Sequence, residues 1–572
     1  MPPAPTNDRS SLSALRVVER GTLAWGLLIA LHLAALAILM ATEDELVGRF
    51  AFLFTWGLLN GLWLVTLRRP LTAAALSLVM LVVLILLSRF KQDVVLMSAN
   101  FVDVMLIDRD TISFLLKVFP KLGPTIAVAA AVALPLFALL WWVDPFRVRR
   151  GVAALGALAW LGALSMLSLA VPMDREKAFA SAAYVSEFMR SGVVATVDIA
   201  TRGVLEADRF SPDSFPAVPP VGCQPGQRLP HIVLVLDESS FDISAVPGIK
   251  VPPNYRQRFK SFDGKFRSLL VEGAGGPTWY TEYNVLTGLS AKSYGRFSNF
   301  VTRIAGGRVS RSLPNALRPC GYRSYSLYPW YGAFLGARFF QKSIGIDQFY
   351  DTRDMGTRDV EPDSFYYDFT AGLIRRDGRD RPLFILTYLM ANHFSWAPRF
   401  RPDLATDWRD LGNPVIAGER VDEYLRRQEM SARDYRAFVE RLRREFPSDP
   451  ILIVRFGDHQ PLFAKTIIDP TLDDAAIGRR IDASDPRYFT TYYAIDALNF
   501  RPVDLSLAFD GLDAAYLPLV ILEAAGVPLD GSFTEQSRIL KDCSGRFYLC
   551  AGGTKVRRFN RMLIDAGLIK GF

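Results

Sequence analysis

Apolar residues crowd into the first third of the chain. Five stretches, at about 21–42, 50–67, 71–88, 123–143 and 151–171, each hold close to the about 20 apolar residues that cross a hydrocarbon core as a helix. This excludes a wholly soluble protein. It also explains why a chain of 572 residues with 50% hydrophobic residues has a positive mean hydropathy of +0.17. The first stretch is too long, and followed by too many others, to be a cleaved leader. Pro135 falls inside the fourth, where a packed neighbour can compensate the lost hydrogen bond. His32 sits deep in the first and reads as an interhelical hydrogen-bond donor or a proton relay.

Arginine placement sets an expected orientation. Arg9, Arg16 and Arg20 precede the first stretch, Arg68 and Arg69 fill the turn between the second and third, and Arg147, Arg149 and Arg150 stand between the fourth and fifth. The loop after the first stretch has Glu43, Asp44 and Glu45 with Arg49. Under the positive-inside rule the N-terminus is cytoplasmic and everything after the fifth stretch is external. The segment 89–122, with apolar runs Val94–Met97 and Val104–Ile107, reads as a helix on the outer bilayer surface or one packed on the bundle.

Three segments follow from the pattern: a five-helix transmembrane domain at 1–172, juxtamembrane helices and a proline-rich linker at 173–228, and one large domain at 229–572. In the first part of the linker Phe179, Tyr184, Phe188 and Met189 alternate with charges. In the last segment strand-like runs (His231–Leu236, Leu383–Met390, Ile451–Phe456) alternate with helical stretches such as Ser431–Phe446, which predicts an α/β sheet flanked by helices. Net charge is +8, from 66 Lys and Arg against 58 Asp and Glu, and no basic block concentrates it, so nucleic-acid binding is not expected. All four cysteines (Cys223, Cys320, Cys543, Cys550) fall in the external part, where an even count suggests disulfides. Cys543–Cys550 closes a short loop and leaves Cys223–Cys320 as the other pair; four free thiols are the alternative.

Reacting groups in open α/β sheets gather past the carboxyl ends of strands. The run from His231 ends in Asp237-Glu238-Ser239-Ser240, and the run from Ile451 ends in Gly457-Asp458-His459-Gln460. Two carboxylates and an imidazole suit a hard or borderline divalent cation, although an acid after a strand also caps a following helix. A third segment, Glu272 to Gly288, brings a glycine-rich approach into a helix that Gly288 should terminate. It sets the Thr278 hydroxyl at a helix N-terminus, where phosphate is favoured. Thr278 is then either a nucleophile activated by a cation or simply a cap.

Together, Leu236-Asp237-Glu238-Ser239, Gly276-Pro277-Thr278 with Glu282-Tyr283 and Leu286-Thr287-Gly288, Asn392-His393, and Gly457-Asp458-His459 resemble the lipoteichoic acid synthase type of membrane phosphoglycerol transferases, in the sulfatase and alkaline phosphatase superfamily. The resemblance implies a five-span membrane domain with an external sulfatase-like α/β domain. It implies Glu238, Asp458, His459 and Thr278 as ligands of one divalent ion, with Mn²⁺ favoured over Zn²⁺ or Mg²⁺. It implies Thr278 as nucleophile and His393 as a substrate-site histidine; His231 matches no family position and reads as structural. The implied reaction moves phosphoglycerol from phosphatidylglycerol to an external glycan or glycolipid at the cytoplasmic (inner) membrane. The alternatives are a phosphoethanolamine transferase and an inactive sensor or assembly protein. Relatives carry an arginine between a phenylalanine and a Lys-Ser-x-Gly-x-Asp run. Here, between Phe334 and Lys342, Ala337 takes its place, Arg338 follows one residue later, and the expected tryptophan is absent with Trp330 nearby. Arg338 and Trp330 are therefore the candidate substrate contacts. The formylglycine segment of sulfatases, Cys/Ser-x-Pro-x-Arg, is missing.

Overall fold

The computed structural model describes residues 9–95, 98–107, 112, 115–116, 121–173, 183–216, 223, 228–404 and 407–570. Two compact units divide the chain, at residues 1–201 and 202–572, so the division falls within the stretch read as linker.

The first unit is helical: α1 (Arg9–Thr42), α2 (Leu46–Leu67), α3 (Pro70–Val95), α4 (Leu122–Val143), α5 (Arg150–Ala170) and α6 (Tyr184–Arg202). Five of these contain segments long and apolar enough to cross a membrane. Their outward side chains are apolar, with Leu134 70% and Leu155 73% exposed, which suits lipid contact rather than water. Helices α2 and α5 approach most closely through small residues. A Cβ on Gly61 would meet the Ala157 Cβ at 2.8 Å, and one on Gly57 would meet the Trp160 ring at 2.5 Å. His32 bonds through Nδ1 to Leu28 O at 2.8 Å, on its own helix rather than across helices, and its ring stands edge-on to Trp56.

The surface-helix expectation for 89–122 is partly displaced. Helix α3 runs on through Val94 and Val95, and Phe101–Leu106 is a single 3₁₀ segment capped by Asn100, with Lys91 paired to Asp103. The remainder of the first apolar run, residues 96 and 97, lies outside the described residues, as do Phe179 and most of the proline-rich run. Within α6, Tyr184 is buried, and Ser186 donates to the buried Glu43 carboxylate at 2.6 Å.

The second unit is built on an eight-stranded mixed sheet of order β10-β2-β9-β8-β1-β5-β3-β4. The strands are β1 (His231–Asp237), β2 (Arg267–Leu270), β3 (Arg323–Leu327), β4 (Gln348–Tyr350), β5 (Leu383–Tyr388), β8 (Ile451–Gly457), β9 (Thr490–Leu498) and β10 (Gly511–Asp513); β6 (Val415–Ile416) and β7 (Glu419–Arg420) form a separate hairpin. Strands β8, β1, β5, β3 and β4 run parallel, and β9 is antiparallel to both its neighbours. Every residue of β1, β5 and β8 is buried, which is why these runs read as mainly apolar stretches with no alternation, Arg455 in β8 being paired with Asp496 at 3.6 Å. Their register sets Asp237 opposite Gly457, so the residues that follow, Glu238 and Asp458, leave the sheet side by side. Disulfides join Cys223 to Cys320 and Cys543 to Cys550.

The helix read at 431–446 begins ten residues earlier, at Val421, and runs to Glu445. Its first three turns, rich in Arg, Glu and Gln, are buried rather than solvated. His231 is a buried acceptor: Leu383 N donates to its Nδ1 at 3.1 Å, and burial pushes its pKa down to about 4.

Candidate active site

Helix α7 (Thr278–Thr287) begins directly after the glycine-rich approach and ends on Gly288, whose φ of 70° gives the left-handed cap. Thr278 at its first position points its hydroxyl at the ends of β1 and β8. Thr278 Oγ1 stands 3.3 Å from His459 Nε2 and 3.5 Å from Glu238 Oε2. His459 Nε2 is in turn 3.2 Å from Asp458 Oδ2 and 3.4 Å from Glu238 Oε1. Three separate loops thus converge on one spot. Ligand atoms of Glu238, Asp458 and His459 all lie within 4.8 Å of one another, and all three residues are buried.

Neighbouring groups hold this spot in place. Ser239 N donates to Asp458 Oδ1 at 2.8 Å and Ser239 Oγ to Glu238 Oε1 at 2.9 Å, with Ser239 at a φ of 50°. Thr281, one turn into α7, donates to Asp458 O at 2.6 Å. Gly457 is required by close approach, since a Cβ there would lie 1.9 Å from Ser240 O. The His459 Nδ1 faces Gln460 O at 2.8 Å; a carbonyl only accepts, so Nδ1 carries a proton and Nε2 is the nitrogen facing the cluster, its lone pair free once the ring is neutral.

Electrostatics mark the spot as strained toward a positive charge. Burial, then the charge of Glu238, pushes Asp458 up to about 7. Burial favours neutral His459, but the Asp458 charge and the Glu238 hydrogen bond outweigh it and raise His459 to about 9. Burial opposes ionisation of Glu238 as well, yet the His459 contacts bring it down to about 2. Asp458 Oδ2, fully buried, accepts no hydrogen bond. An orphaned carboxylate oxygen, a second carboxylate, an imidazole lone pair and a hydroxyl, all aimed at one point, fit a divalent cation.

His393 follows β5 in a loop. Its Nδ1 meets Phe394 O at 2.7 Å, which leaves Nε2 for other partners, and its charge lowers the pKa of Glu238. Asn392 Nδ2 reaches Glu238 O at 3.4 Å and links this loop to β1. The Arg338 guanidinium pairs with Asp351 at 2.8 Å and Asp354 at 2.6 Å and lies over the Phe349 ring. Trp330 is half-buried, packs on the core beside β3 and β5, and stands edge-on to Tyr331. Sequence reasoning gave no role to Ser239 or to the helix residues Tyr424, Arg427 and Gln428. The first sat within an apparent turn, and the last three carry only a polar i, i+3, i+4 pattern that reads as a solvated face.

Residues 265–476 match the family model described as Sulfatase. No match to a curated protein is found. Among solved structures, the chain is similar to the lipoteichoic acid synthase LtaP from Listeria monocytogenes, at 14% identity over 53% of this chain and 73% of that one, with a TM-score of 0.39. It is similar to the Streptococcus pyogenes phosphoglycerol transferase GacH in complex with sn-glycerol-1-phosphate, at 15% identity over 60% and 90%, with a TM-score of 0.44. It is also similar to the lipooligosaccharide phosphoethanolamine transferase A (EptA) from Neisseria meningitidis, at 12% identity over 84% and 96%, with a TM-score of 0.42.

Proposed function

We propose that this chain, which carries a sulfatase-family domain after five apolar helices, is a metal-dependent phosphotransferase that takes a phosphate-linked head group from a membrane phospholipid. The reading rests on one observation above all: the Thr278 hydroxyl stands within 3.5 Å of both His459 and Glu238, at a point Asp458 also faces. Glu238, Asp458, His459 and Thr278 would hold the ion, with Mn²⁺ the first choice. When bound, a divalent ion lowers the hydroxyl pKa and offsets charge on phosphoryl oxygens.

Thr278 Oγ1, its proton already released to solvent, attacks the phosphodiester phosphorus in line. A phosphorus–oxygen bond to Thr278 forms as the bond to diacylglycerol breaks. The departing diacylglycerol oxygen takes a proton delivered through His393 Nε2. An acceptor hydroxyl then attacks the phosphothreonine and gives up its proton to the same histidine, and Thr278 leaves as the oxyanion it began as. Phosphatidylglycerol is the favoured donor and an external glycan or glycolipid the acceptor. On this reading the catalytic domain lies on the periplasmic or extracellular side of the cytoplasmic membrane, which the arginine distribution of the spans supports.

One observation favours a second head group. With Ala337 at the family's arginine position and Arg338 held by two aspartates, phosphoethanolamine is the runner-up. Purified protein in liposomes of single phospholipids, with Mn²⁺, separates these readings through diacylglycerol release. Release from phosphatidylglycerol supports the first and release from phosphatidylethanolamine alone the second. Release from neither refutes both. Thr278→Ala should abolish release and the covalent phospho-adduct; an adduct surviving in that variant removes Thr278 as nucleophile.

A further inference from the structure

The residues from His393 to Phe400 form neither helix nor strand, yet their backbone carbonyls converge on a single side chain. Arg427 Nη1 donates to His393 O at 2.8 Å, and Nη2 donates to Ser395 O at 2.8 Å and Pro398 O at 3.0 Å. Its Nε donates to Glu423 Oε1 at 2.9 Å. The guanidinium is 4% exposed, so its charge depends on that pairing. Glu423 also accepts from Phe400 N at 2.9 Å, and Arg426 pairs with Glu423 at 2.8 Å while reaching Phe400 O. Both ends of the His393 loop are thereby tied to one buried ionic cluster.

The same helix, α8 (Val421–Glu445), also holds the metal-ligand loop. Tyr424 donates to Ser239 O at 3.0 Å, and Gln428 Nε2 donates to Ser240 Oγ at 3.2 Å. Positions 424, 427 and 428 are i, i+3 and i+4, so they share one helix face. One rigid element thus sets the spacing between the Glu238 loop and the His393 loop.

We infer that Arg427 is a positioning residue that fixes His393 against the Thr278 cluster, with α8 as the shared support. This rests on the reading of His393 as the proton-transfer group. A planar fork is what lets one side chain satisfy three carbonyls and a carboxylate together. Lysine keeps the charge for Glu423 but cannot hold the same set of acceptors. A displacement of the order of 1 Å in a catalytic group costs up to about a hundredfold in rate.

The test is a double-mutant cycle on the full chain in donor liposomes, both phosphatidylglycerol and phosphatidylethanolamine, with Mn²⁺ affinity measured on each variant. Arg427→Lys should lower kcat by about ten- to hundredfold and leave KM and Mn²⁺ affinity within about twofold. His393→Gln should lower kcat by about a hundredfold or more. If Arg427 acts through His393, the double variant matches His393→Gln alone instead of showing the product of the two losses. Arg427→Gln, which keeps amide donors, provides a second variant, with rates normalised to the Mn²⁺-binding fraction. A wild-type kcat in Arg427→Lys and Arg427→Gln, or fully multiplicative losses in the double variant, overturns the inference while leaving the phosphotransferase reading intact. A wild-type kcat in His393→Gln instead removes the histidine's role, and the inference with it. No diacylglycerol from either lipid by the wild-type protein refutes the proposed function itself.

Discussion

Protons and a divalent cation should compete for the Thr278 cluster, and the structure sets the size of that competition. Binding needs Glu238 and Asp458 as anions and the Nε2 lone pair of His459 free. Glu238, at about 2, is ionised throughout the physiological range. His459, at about 9, must lose a proton at any pH below that value. Each pH unit of acidification below 9 therefore weakens apparent affinity about tenfold, or about 1.4 kcal/mol. Asp458, at about 7, adds a second displaced proton as pH falls below 7. The sign is fixed, because protonated forms exclude the ion and affinity rises with pH. From pH 8 to pH 6, His459 alone contributes about a hundredfold loss, and Asp458 about tenfold more.

Titration calorimetry with Mn²⁺, in two buffers of different ionisation heat, gives both affinity and the number of protons released. About one proton is expected near pH 8, rising toward two near pH 6. His459→Gln should bind more weakly at pH 8 but lose most of the slope between pH 7 and 8. An affinity constant within about twofold from pH 6 to 8, with no proton release, would refute the argument that these three groups share one ion site.

Gly457→Ala should abolish Mn²⁺ binding in the calorimeter, because its Cβ would lie 1.9 Å from Ser240 O and push the Asp458 and Glu238 loops apart; unchanged affinity would mean the strands separate freely there. His231, held at about 4 by burial against an ordinary value of 6.5, should make the protein less stable as pH falls from about 6.5 toward 4, by up to about 3 kcal/mol. Urea unfolding of wild type and His231→Gln checks this, since the variant should lose that part of the pH dependence. In the membrane unit, Gly61→Leu should lower the detergent melting temperature by several degrees as it forces α2 away from Ala157, whereas Gly162→Leu, with open space at its Cβ, should not.

What was legible in the sequence followed from how strongly each element's chemistry is constrained locally. A membrane span must be apolar along its whole length, and a central strand must be largely apolar on both faces, so the five spans and β1, β5 and β8 announce themselves as mainly apolar runs. The candidate ligands were legible for a related reason: Glu238 and Asp458-His459 come directly after such runs, where acidic and imidazole groups have no packing reason to stand.

The N-terminal half of α8 was illegible because its logic is not local. Glu423, Tyr424, Arg426, Arg427 and Gln428 look like a solvated helix face, yet all are buried, since they bond to one another and to groups of two distant loops. A polar side chain that satisfies irregular backbone leaves no periodic trace, as the acceptors it serves can belong to any sequence. Arg338 shows the converse. Its charge stands one residue from the position where the resemblance expects an arginine, and its pairing with Asp351 and Asp354, from a different loop, left no local trace. The candidate ligands Glu238, Asp458 and His459 could be read from strand ends, while the helix that supports their loops had to wait for the tertiary contacts, and that division is why Arg427, rather than a candidate ligand, is the residue proposed for a positioning role.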